Sequence, residues 1–147
     1  MTRELLTPKR IILHVAIWLT VFIFWLWATR NHHPTLTIAI LATAILVTAF
    51  AIAVYVNALF LLPRFARRRL WLQYIASLLV TVAVLDLAAV FLIQFIYDHL
   101  WGPDPLRYGF WFNVASEAAL IIFHLAAAMG LMWLLKYLRR RSESVKG

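Results

Sequence analysis

Four apolar runs, at 11–28, 36–62, 70–97 and 111–138, alternate with short polar breaks along the 147 residues. As helices rising about 1.5 Å per residue, the first covers roughly 27 Å and the second roughly 40 Å. Each is therefore long enough to cross a bilayer, and the excess in the second must be absorbed by tilt or by protrusion into the headgroups. The pattern predicts an all-α fold, an integral membrane four-helix bundle over 11–138. A polar tail at 1–10 precedes it and a basic tail at 139–147 follows. Thr7 before Pro8 suits the start of the first helix. The first run is long for a signal-peptide core, and Thr29, Arg30, Asn31, His32, His33 and Pro34 after it offer no small-residue cleavage site, so it is read as a retained span. The stretch 98–109 holds two of the five prolines and two of the four glycines and reads as a surface loop.

Composition agrees with the pattern: 65% of residues are hydrophobic and 14% are charged, against about 25% charged in ordinary soluble domains. The net charge of +8 raises the question of a nucleic-acid partner, and its distribution answers it. Twelve of the fourteen Lys and Arg lie in the N-terminal tail, in the turn after the second run (Arg64, Arg67, Arg68, Arg69) or at the C-terminal end (Lys136, Arg139, Arg140, Arg141, Lys146); the other two are Arg30 and Arg107. Four spans put all three basic places on one side, and short basic loops stay in the cytoplasm. Both termini are thus expected in the cytoplasm, with the arginines setting topology and meeting anionic lipid headgroups, and no nucleic-acid partner is expected. The absence of cysteine removes thiolate chemistry and disulfides.

Polar residues inside the runs carry the candidate chemistry, because each costs about 2.5–3.5 kcal/mol to bury at the centre of a bilayer and asks for a partner or a purpose. Asp86 lies sixteen residues beyond Leu70, and His124 fourteen before Leu138, which places both within reach of a meeting between the third and fourth helices. Glu117 and Asn113 extend the His124 face into a polar stripe. Three readings stand: a hydrogen-bonded tie between helices, a ligand- or proton-sensing pocket, and a proton-coupled path. Asn57 and Tyr74 sit at one depth across the basic turn and are expected to bond. Ala44, Thr48 and Ala51, and the pair Ala126 and Gly130, are expected to let neighbouring helices approach closely. Trp71, Trp101, Trp111 and Trp133 fall near span ends and read as interfacial anchors. Adjacent His32 and His33 make a weak metal signal, and no metal or cofactor is expected. No phosphate loop, GxSxG or paired catalytic carboxylates are present, so the chain is not expected to be an enzyme.

At the basic turn Tyr55, Asn57, Leu61 and Pro63 spell Y-x-N-x-x-x-L-x-P, followed by arginines and by Tyr74, while His14 and Trp18 give H-x-x-x-W in the first helix. This pattern resembles the N-terminal four-helix membrane region of LytS-type sensor histidine kinases, and the likeness covers nearly the whole chain. It implies a sensory or signal-transmitting module of the bacterial inner membrane, a homodimer, and a kinase or response-regulator partner. Those kinases continue into a core with a P-H-F-x-F-N phosphoacceptor motif and a glycine-rich ATP lid. Neither occurs before Gly147, so the chain is expected to be the sensor portion of a longer protein or a freestanding relative. A structural subunit of a membrane complex and a small proton-linked transporter are the alternatives.

Overall fold

The computed structural model describes residues 8–102 and 109–144 and, among these, every regular element is helical. The N-terminal tail to residue 7, the loop carrying Arg107, residues 145–147 with Lys146, and the side chains of Arg67, Arg139 and Arg140 lie outside the described residues. Four long helices form the molecule: α1 (Pro8–Thr29), α2 (Leu36–Val56), α3 (Trp71–Leu100) and α4 (Phe110–Ser144). Each contains a stretch long and apolar enough to cross a membrane, over Ile11–His32, Leu36–Arg64, Trp71–Leu100 and Phe110–Leu138.

Local sequence explains where the helices stop. A 3₁₀ turn, Arg30–His32, ends α1, and His33 is extended because Pro34 follows it. Thr35 then caps α2, its side chain accepting a hydrogen bond from the Ile38 amide. Beyond Val56 the helix widens into a π turn, Asn57–Leu61, followed by the helical turn Leu62–Arg64. Pro63 accounts for this: it has no N–H for the Leu59 carbonyl, and its ring crowds that carbonyl. A 3₁₀ turn, Ala66–Arg68, and Arg69 at φ 60° close the hairpin, and the Leu70 amide bonds the Phe65 carbonyl at 3.0 Å.

Two ends differ from expectation. The third helix does not stop at Tyr97 but continues to Leu100, since nothing before Gly102 breaks it. Gly102, at φ +97°, turns the chain there and returns its amide to the Tyr97 carbonyl at 2.9 Å. The basic tail is likewise helical as far as Ser144, because Lys136 to Ser144 contains neither proline nor glycine.

The core sits around α2, the helix that packs against all three others. Val47, Phe50 and Ala53 of α2 close on Val82 of α3 and on Ile121 and Leu125 of α4, with Trp18, Val21, Phe22 and Trp25 of α1 laid against them. A second cluster, Ile38, Ala42, Ile93 and Tyr97, packs the end away from the arginines. The small-residue faces match the spacing only in part: Ala44 and Ala51 are half-buried. Ala39, Ala42, Ala49 and Ala53 are the buried alanines of α2, whereas Thr48 is exposed and bonds back to the Ala44 carbonyl at 2.7 Å. Ala126 and Gly130 are also exposed, one helical step from Leu125, because α4 turns Ile121 and Leu125 inward. Large apolar side chains decide each helix's inward face, and the small residues follow them.

Candidate functional site

Three tiers of polar side chains tie the helices together. Nearest the arginines, Trp18 Nε1 donates to Tyr55 Oη at 3.0 Å, and that hydroxyl exchanges a hydrogen bond with His14 Nδ1, also at 3.0 Å. The two halves of the sequence pattern thus meet: H-x-x-x-W on α1 clasps the tyrosine that opens the hairpin motif. His14 and Trp18 are four residues apart and so share one face of α1. At the same end Tyr74 Oη donates to Asn57 Oδ1 at 2.9 Å across the hairpin, with Met129 Sδ of α4 at 3.7 Å from the hydroxyl. Asn57 is 1% exposed, and its amide oxygen is satisfied by that bond.

The middle tier is centred on His124. Trp25 Nε1 donates to His124 Nε2 at 3.1 Å. An indole nitrogen can only donate, so Nε2 must accept and the ring hydrogen sits on Nδ1, which bonds the Leu120 carbonyl at 2.8 Å. Phe50 stacks on the same imidazole, with ring centres 4.0 Å apart and planes 14° from parallel. Both ring nitrogens are therefore committed, one of them to α1. No hydrogen bond joins His124 to Asp86, the pair whose meeting depth alone allowed.

Asp86 is 1% exposed on α3, and its Oδ1 has no hydrogen-bond partner among the described residues. Glu117 and Asn113 are half-buried on α4. No group of three or more metal-ligating side chains gathers among the described residues. In the third tier, at the end away from the arginines, His33 Nδ1 bonds Tyr97 Oη, joining the connection after α1 to the last turns of α3.

Sequence reasoning missed Trp25, Phe50, His33 and Tyr97. Trp25 and Phe50 are apolar letters in apolar runs, and only the helix rotation reveals that one lends its N–H and the other its face to an imidazole. One signal was available: Trp18 and Trp25 lie seven residues apart, on the same face of α1 as His14. The tryptophans expected as anchors do face outward: Trp71, Trp101, Trp111 and Trp133 are each more than half exposed. Arg64, Arg68, Arg69 and Arg141 are exposed as well, and the Arg64 guanidinium lies 5.8 Å from the centre of the Phe65 ring.

No protein family, curated protein or solved structure matches this chain. The arrangement itself therefore carries the functional argument.

Proposed function

We propose that the chain is a membrane-embedded sensory module that transmits a change in helix packing along α4, with both termini on the cytoplasmic side. The carrying observation is the construction of α4. It is one unbroken helix, Phe110–Ser144, that continues past the apolar stretch ending at Leu138, yet only Ile121 and Leu125 of its described residues are fully buried. A long rod held by a shallow core can rotate or slide as a unit, and its basic end would deliver that motion to whatever follows or binds it. The Trp25–His124 bond and the Phe50 stack fix its rotation at one level, and Asp86 and Glu117 supply the polar region on which a stimulus would act. The likeness to LytS-type sensor kinases supports the same reading, since His14, Trp18 and Tyr55, and separately Asn57 and Tyr74, are joined as working pairs. In this reading the chain itself performs no chemistry and serves a histidine-kinase core.

The test is to purify the tagged protein from its native membranes in mild detergent and to assay the preparation for histidine phosphorylation from labelled ATP. A kinase core in the same polypeptide or in a co-purifying partner, with phosphorylation altered by His124→Ala, is the expected result. A preparation free of any kinase, or phosphorylation indifferent to His124→Ala, would remove the sensor reading in favour of a structural one.

A further inference from the structure

Asp86 and Glu117 lie at one level of the bundle. Tyr74 of α3 touches Met129 of α4, and Asp86 is twelve residues beyond Tyr74 just as Glu117 is twelve residues before Met129. The helices run antiparallel, so both carboxyls stand about 18 Å from that contact. A second contact brackets them from the far side, where the Phe91 and Phe110 rings are 5.4 Å apart, five residues from Asp86 and seven from Glu117.

Among the described residues no lysine or arginine stands at the level of Asp86. Among the described side chains α1 carries His14, near its start, and α2 has no titratable side chain before Tyr55. On α3 the nearest titratable groups are Tyr97, eleven residues away, and Tyr74 and Asp98, each twelve away. On α4 the groups nearest that level are Glu117, an acid, and His124, whose nitrogens are taken by Trp25 and Leu120, while Lys136, Tyr137 and Arg141 lie near the opposite end of the helix. Asp86 is fully buried with an oxygen that meets no donor among the described residues, and burying a carboxylate charge in that way is costly, whereas a hydrogen held on the carboxyl removes the charge.

We infer that Asp86 is a proton-binding site of the bundle, holding its carboxyl hydrogen while α3 and α4 are packed and releasing it only when they part enough to admit water. A proton suits the site better than a metal ion because it needs no cluster of ligands, and no group of three or more His, Cys, Asp or Glu side chains that could hold a metal gathers among the described residues. The inference names the ligand of the sensory region proposed above. It rests on that reading only for what the release would signal.

The test is infrared difference spectroscopy of the full chain in nanodiscs at neutral pH, in sodium and in sodium-free buffer, with Asp86→Asn and Glu117→Gln alongside. The expected result is a carbonyl band of a protonated acid that shifts in D₂O, is lost completely in Asp86→Asn and persists in Glu117→Gln. Circular dichroism shows that each variant retains its helices. No band in the parent, a band lost in Glu117→Gln but kept in Asp86→Asn, or a band seen only without sodium would overturn the assignment, the last by showing a cation site. None of these outcomes depends on a kinase, so the proton site and the sensor reading fail separately.

Discussion

At the scale of single residues, the stability of the bundle depends on a few hydrogen bonds whose partners come from different helices. Interhelical bonds of this kind in membranes average about 0.6 kcal/mol and reach about 1.7 kcal/mol. Trp25→Phe keeps the ring and removes only the N–H to His124. It should destabilise the protein by an amount in that range, and a double-mutant cycle with His124→Ala, read from reversible unfolding in mixed micelles, should show coupling of the same size. Tyr74→Phe should cost more, about 1–3 kcal/mol, because it leaves the buried Asn57 amide oxygen without its donor. An unfolding midpoint unchanged by Tyr74→Phe would show that the hairpin bond does not hold α2 to α3. His33 bonds Tyr97, a partner sixty-four residues away that no local pattern indicates.

At the scale of elements, the ends of the helices were less legible than their existence. Proline and glycine mark where a chain can bend, and the structure uses some of these marks and passes others. Gly130 lies mid-helix with open space around it, while Gly102 adopts a positive φ and ends α3. Gly102→Ala should therefore strain the turn by about 1–3 kcal/mol. It should fray the last turn of α3, seen as faster hydrogen exchange at the Trp101 amide that now bonds the Tyr97 carbonyl. Gly130→Ala should leave exchange unchanged. The same contrast separates α1 from α2. All of α1's apolar stretch is at least partly exposed, whereas 44% of the α2 stretch is buried, so α1 is an outer helix held largely by Trp18 and Trp25.

At the scale of the whole molecule, the arginine-bearing end and the opposite end should lie on different sides of the membrane. The chain has no cysteine, so each cysteine introduced is a unique reporter. Asn31→Cys should react with a membrane-impermeant maleimide in intact cells, and Arg68→Cys only in inverted vesicles; both positions are exposed. The reverse labelling would invert the topology. The bundle leaves most of its large apolar side chains on the outside, from Leu41 at 37% to Leu72 at 82% exposed, as expected of a surface facing hydrocarbon rather than water.

What the sequence determined by itself is the number of helices long and apolar enough to span a membrane, the segments in which basic residues collect and the distance of each polar group from its helix end, because these depend on run length and on about 1.5 Å of rise per residue. Depth was enough to pair Asn57 with Tyr74, which face each other across a short turn. It was not enough for His124, which shares no short connection with its partner: which way an imidazole points depends on helix rotation, and rotation is settled by how Phe50, Ile121 and Leu125 interlock. Only the tertiary structure could turn His124 toward Trp25 and Phe50 and bury Asp86 with one oxygen lacking a donor among the described residues. In helices apolar on every side, no polar face announces in advance which side will be inside.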